Sequence, residues 1–98
     1  MQEELIPAED YSRQSHTDIT FINLLSEYGL IEITIQEETK CIPLHQLPLL
    51  EKYTRLHYDL DINMAGIEAI SHLLQKINTM QSELESLKRM MRLYEPIS

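Results

Sequence analysis

Residues 63–95 read NMAGIEAISHLLQKINTMQSELESLKRMMRLYE, and the spacing of their apolar side chains decides the architecture. Ile67, Ile70, Leu74, Ile77, Met80, Leu84, Leu87, Met91 and Tyr94 follow one another at intervals of three or four, the period of one helical face. Asn63 is a good N-cap and Pro96 a stop. A helix of this length runs about 50 Å. The roughly sixty residues before it would form a body only about 25 Å across. The apolar seam is therefore expected to overhang its own domain and to need a second copy, or another protein, to cover it.

The seam changes character along its length. Ile67, Ile70, Leu73, Leu74 and Ile77 make a broad face suited to packing on the small body. Met80, Leu84, Leu87, Met91 and Tyr94 make a narrower coiled-coil stripe, which points to dimerisation through those five side chains. Two successive three-residue steps, Leu74 to Ile77 and Ile77 to Met80, predict a stammer near Asn78-Thr79 where the helix overwinds, bends or breaks. Gly66 in the first turn costs about 1 kcal/mol relative to Ala, which is bearable if another backbone approaches its bare surface. Glu83 and Glu85 precede Lys88, Arg89 and Arg92, an order that brings opposite charges together between antiparallel copies. The alternative is a solvated helix face, since exposed pairs contribute only ~0.5 kcal/mol each.

Working toward the N-terminus, Asp59 to Asn63 interrupts the pattern, and Leu44, Leu47, Leu50, Tyr53, Leu56 and Leu60 before it predict another helix with Pro48 near its first turn. Ile31 to Ile35 alternates apolar and polar residues, and Thr39 to Ile42 can return beside it after a turn at Gln36-Glu37-Glu38, making a small hairpin. Upstream of the hairpin, Thr17 or Asp18 caps a helix with Ile19, Ile22 and Leu25 on one side, ended by Tyr28-Gly29. A first helix follows Pro7, with Glu9 and Asp10 in its first turn, and ends near His16 after a short extended lead-in at Leu5 and Ile6. The first two helices are joined almost without a loop, which is helix-turn-helix spacing. The expected organisation is a winged-helix-like domain over residues 1–62 and a long helix over residues 63–98.

Composition narrows the function. A single cysteine, Cys41, excludes an internal disulfide framework and fits a reducing compartment. The N-terminus lacks the pattern of a signal peptide, and no apolar run approaches the ~18 residues of a membrane span, so a cytoplasmic protein is the expectation. Net charge is −8, and all of it lies in residues 1–61, where twelve carboxylates face only Arg13, Lys40, Lys52 and Arg55. The remainder holds four acids and four bases. No nucleophile elbow and no Gly-rich phosphate loop occurs, with only Gly29 and Gly66 in the chain, so neither catalysis nor a cofactor is expected. Cys41 and His45 are four apart, but no second ligand pair is recognisable among the other histidines, and no metal site is expected. His57 reads as a packed, hydrogen-bonded histidine in preference to a pH sensor.

Helix-turn-helix, wing, third helix and terminal dimerising helix together resemble the MerR-type winged helix-turn-helix, a mainly α fold with a small β-hairpin. Within it, Leu56-His57-Tyr58-Asp59-Leu60-Asp61-Ile62-Asn63, then Gly66-Ile67-Glu68-Ala69-Ile70 and Leu73-Leu74, resemble the chaperone-modulator CbpM family. That resemblance implies a homodimer that binds the J-domain of a DnaJ-like, CbpA-type co-chaperone and blocks its work with the Hsp70 chaperone. It implies no nucleic-acid or membrane partner. The charge pattern agrees independently. Affinity for DNA comes chiefly from Lys and Arg on phosphates, yet Ile19 to Tyr28 contains neither and the wing tip Gln36-Glu37-Glu38 is acidic. A J-domain typically carries a basic helix, which an acidic surface would attract. The best candidates to contact it are Glu32, Glu37, Glu38, Asp59 and Asp61; a surface that merely aids solubility is the competing reading. The alternative function is a MerR-like transcriptional regulator reading DNA with the second helix.

Overall fold

The computed structural model describes residues 3–94. Pro96, the expected stop of the long helix, lies outside the described residues. The chain divides into two compact units between Glu68 and Ala69.

In the first unit, strand β1 (Leu5–Pro7) leads into helix α1 (Ala8–Ser15), with Pro7 at the position before the helix, where its fixed φ is tolerated. His16 ends α1 in the left-handed conformation, φ 56°. Thr17 is buried in the turn; its N–H donates to the Ser12 carbonyl (3.1 Å) and its own carbonyl accepts from the Ser12 hydroxyl. Of the two residues expected to cap helix α2 (Ile19–Glu27), Asp18 does so, accepting from the Thr20 N–H at 2.9 Å. Gly29, at φ 73°, turns the chain out of α2 as its position implied.

Strands β2 (Thr34–Gln36) and β3 (Thr39–Pro43) form the wing. The expected strand from Ile31 starts three residues late. Ile31 is drawn into the core, and the Glu32 N–H donates to the buried side chain of Gln46 (2.9 Å) instead of joining a ladder. The N-terminal lead-in also does more than the sequence reading gave it. It pairs antiparallel with β3, Leu5 beside Pro43, so the hairpin becomes a three-stranded sheet in the order β1-β3-β2. Pro7, which has no N–H to give a ladder, takes the last position of its strand.

A short 3-10 turn (Leu44–Gln46) precedes helix α3 (Leu47–Tyr58), whose Pro48 sits in the first turn. Ile22 and Leu25 from α2, Ile42 from β3, Leu50 from α3 and Ile67 are the large side chains fully removed from solvent. Each such side chain stabilises the fold by about 1.5–3 kcal/mol, and together they tie helix-turn-helix, wing and third helix into one core.

Helix α4 (Met64–Tyr94) begins with Asn63 accepting from the Gly66 N–H at 2.8 Å, the cap the sequence implied. Among the described residues no backbone outside its own helix comes within 4 Å of where a Gly66 Cβ would stand. A Cβ there would lie 2.7 Å from the Ile62 Cγ2 methyl and 3.2 Å from the capping oxygen of Asn63, so side chains and not main chain require the glycine. In the second unit the helix runs through Asn78-Thr79 without a break, with the Thr79 hydroxyl donating to the Gln75 carbonyl at 3.1 Å. A phase slip in the apolar pattern alone does not interrupt the i to i−4 ladder, because neither residue removes a donor.

Candidate functional site

The acids singled out from the sequence occupy three places. Glu37 and Glu38 are the wing tip, both in the left-handed region (φ 51° and 63°) between the paired residues Gln36 and Thr39. Asp59 and Asp61 follow the C-terminal end of α3; the Asp59 N–H donates to the Arg55 carbonyl (2.9 Å), and Asp61 is itself left-handed at φ 56°. Glu32 lies at the base of the wing, beside His45 just ahead of α3. Twelve residues of helix separate His45 and Gln46 from Asp59, about 18 Å. The wing tip is about 15 Å along the strand from Glu32. The five carboxylates are thus spread over the unit and do not meet at one point.

Glu32 has a neighbour that sequence reasoning missed. Glu3 accepts from the His45 N–H (2.8 Å) and from its Nδ1, while His45 Nε2 stands 3.5 Å from Glu32 Oε2. Those contacts set the charge of the group. The hydrogen bond to Glu3 raises the His45 pKa, with the charges of Glu3 and Glu32 adding to it, and the His45 backbone and ring hydrogen bonds lower that of Glu3. The missing signal was strand pairing: once Leu5 lies beside Pro43, antiparallel register brings residue 3 across from residue 45.

The α2 surface that a DNA-reading helix would use carries Thr20, Asn23, Glu27 and Tyr28. A hollow between it and the wing is lined by Glu9, Asn23, Glu38 and Lys40 among others. Lys40 is the basic residue there, and its ammonium contacts Asn23 Oδ1 at 3.5 Å.

Near the N-terminal end of α2, the His57 ring stacks on Phe21 (centroids 4.4 Å apart) and its Nδ1 contacts the Ile62 carbonyl at 2.9 Å. Tyr58 completes the aromatic group, its hydroxyl accepting from the Asp18 N–H at 3.0 Å. His57 is therefore the packed, satisfied histidine its sequence context suggested, and it pins α2, α3 and the loop to Asn63 together. Cys41 is buried with its thiol toward the Thr39 carbonyl (3.6 Å), while His45 is engaged with Glu3, so the two do not converge. Among the described residues no group of His, Cys, Asp and Glu is arranged to hold a metal, and no helix is long and apolar enough to cross a membrane.

In the second unit, Met80, Leu84, Leu87, Met91 and Tyr94 are all exposed in the single chain, from Leu84 at 51% to Tyr94 at 82%. Their four-three-four-three spacing keeps them on one stripe of the helix.

A family model for MerR HTH family regulatory proteins matches residues 6–89. The chain belongs to the MerR HTH family. Neither the curated proteins nor the solved structures contain a match to it. The matched span takes in the helix-turn-helix, the wing, α3 and most of α4. This MerR-type chain is accordingly a mainly helical winged helix-turn-helix with a three-stranded sheet and a long C-terminal helix, in a family of regulators.

Proposed function

We propose that this MerR-type protein is an adaptor that regulates another protein and does not read DNA. Its partner, on the CbpM resemblance of residues 56–74, is the J-domain of a DnaJ-like co-chaperone, whose Hsp70-facing basic surface it masks by bulk and by charge. The observation that carries this reading is the charge of the helix-turn-helix face. Helix α2 has no cation, and Lys40 of the wing stands beside Asn23 with Glu38 and Glu9 around the same hollow. A DNA-binding protein gains its non-specific affinity by releasing counterions from phosphates with Lys and Arg; here a duplex would meet carboxylates. Two copies would be joined through Met80, Leu84, Leu87, Met91 and Tyr94, in antiparallel order so that Glu83 and Glu85 face Lys88, Arg89 and Arg92.

The family match itself favours a second reading, a transcriptional regulator with α2 as its reading helix. Titration calorimetry with a purified J-domain and a gel shift with random duplex at low salt separate the two. The adaptor reading expects saturable J-domain binding that weakens with salt and no shift of the duplex. Tight duplex binding with a steep salt dependence, and no heat with the J-domain, would establish the regulator and sink the adaptor.

A further inference from the structure

Alternation along the antiparallel ladders sorts the wing sheet into two faces. Ile6 and Ile42 lie in phase on the face that meets the core, where Ile42 is fully buried. Leu5, Pro43 and Thr34 lie in phase on the other face, Leu5 beside Pro43 and Thr34 beside Cys41. On that outer face is a groove of about 460 Å³ with Leu5, Pro43 and Thr34 along it and Glu3, Glu32 and His45 at one end.

We propose that this outer groove is the docking site for a cationic segment of the protein partner, an arginine or lysine lying along Leu5 and Thr34 with its charged head on the exposed side of the Glu32 carboxylate, beside His45. The proposal rests on the adaptor reading above and narrows it to one surface. Three observations choose the occupant. Long basic side chains bury an apolar stem and keep a charged head on a carboxylate, and the groove offers both along its length. The two carboxylates already converge on a nitrogen-bearing ring of the chain's own: His45 reaches Glu3 through Nδ1 and stands 3.5 Å from Glu32 through Nε2. The Glu32 side chain nonetheless remains 72% exposed, open to a partner's charge. Finally, the groove runs to the outer edge of the sheet, since β2 is the edge strand and its two residues on this face, Thr34 and Gln36, are both exposed. An open strand edge of this kind is normally covered or charged, and a protein segment supplies the cover that a nucleic acid would not. The net charge of the first sixty-one residues brings such a segment toward the unit before any contact forms.

The test is a titration of the full-length, nitrogen-15-labelled chain with a purified J-domain, followed by amide shifts, with affinities for Glu32→Gln, Glu32→Lys and Glu37→Lys/Glu38→Lys measured by calorimetry. Glu32→Gln is the variant that cannot be dismissed as misfolded, because it keeps shape at an exposed position. Shifts centred on Leu5, Thr34 to Gln36 and His45, with affinity falling about tenfold for Glu32→Lys and less for Glu32→Gln and for the wing-tip reversal, support the proposal. Binding that is undiminished by both Glu32 variants, or weakened more by the wing-tip reversal than by Glu32→Lys, overturns the groove while leaving the adaptor reading in place. No binding of the J-domain by the unaltered chain overturns the adaptor reading and this site with it.

Discussion

The wing tip holds a conformation that its residues disfavour, and replacing them should raise stability by a definite amount. Glu37 and Glu38 both have positive φ, 51° and 63°, in a two-residue loop closed by the Gln36 and Thr39 pair. That is the backbone of a type I′ turn, for which Asn-Gly is the favoured sequence. A residue with a Cβ in the left-handed region costs roughly 1–2 kcal/mol. Asn tolerates the region better and Gly without penalty, but Gly gives back about 0.5–1 kcal/mol through the freedom it adds to the unfolded chain. The balance for Glu37→Asn/Glu38→Gly is a gain of about 1 kcal/mol, which for a domain of this size raises Tm by about 4–8 °C. Thermal melts followed by circular dichroism measure it, at one protein concentration because self-association makes Tm depend on concentration. Glu38→Val, which puts a β-branched side chain at φ 63°, should lower Tm in the same assay. An unchanged or lower Tm for the Asn-Gly variant, with the hairpin amides still dispersed, would refute the argument that the turn is strained.

Gly66→Ala should destabilise the protein by about 1 kcal/mol in urea melts despite the better helix propensity of alanine, because the new Cβ would sit 2.7 Å from Ile62 Cγ2 and crowd the Asn63 cap; Ile62→Ala in the same chain should restore part of the loss, and a net gain for Gly66→Ala alone would contradict the contact. The Glu3 and His45 pair should hold β1 most firmly in mildly acidic solution. His45, whose pKa is raised, contributes below its unfolded value and ceases to as pH climbs through its folded one; Glu3, whose pKa is lowered, contributes above its unfolded value and ceases to as pH drops through its folded one. Hydrogen exchange of the Ile6 amide should therefore show its greatest protection at about pH 5–6, between the ordinary carboxyl and imidazole values, and His45→Gln should flatten that dependence. Light scattering on a chain ending at Asn78 should report a monomer where the whole chain reports a dimer; equal masses would remove Met80 to Tyr94 from self-association.

Legibility in the sequence followed locality. The starts of α1, α2 and α4 and the end of α2 were readable because each is set by one residue acting on its own neighbours: Pro7 before α1, Asp18 accepting from Thr20, Asn63 accepting from Gly66, and Gly29 at positive φ after α2. The late start of β2 was not readable, since it depends on Gln46, fourteen residues away, taking the Glu32 N–H. Neither was β1. Leu5 to Pro7 is too short to show a period, and its partner Cys41 to Pro43 is distant in the chain. That one missed pairing also hid the Glu3, His45 and Glu32 group, so half of the proposed groove was invisible until the sheet was closed. A break at Asn78-Thr79, one of the outcomes the phase slip allowed, does not occur, and for the opposite reason. It was inferred from side-chain phase, whereas helix continuity depends on backbone donors that both residues keep.

Fold and partner are specified by different residues in this chain, which is why belonging to a family of regulators does not by itself choose between DNA and protein. The MerR-type core needs apolar side chains at positions such as Ile22, Leu25, Ile42, Leu50 and Ile67; none of them reaches solvent, and none would change if the partner did. DNA binding needs something the core does not supply, a set of cations on one face, each phosphate contact adding about 0.9 to the slope of affinity against salt. Four cations against twelve carboxylates in residues 1–61 leave little to make that set, the more so with Arg13 paired to Asp10 at 3.0 Å and Lys40 against Asn23. Lys52 and Arg55 sit on α3 and share a hollow with Glu51. The same scaffold with its charge inverted presents carboxylates where a groove and an uncovered strand edge are also available. A basic protein surface satisfies all three features at once, and a duplex satisfies none of them.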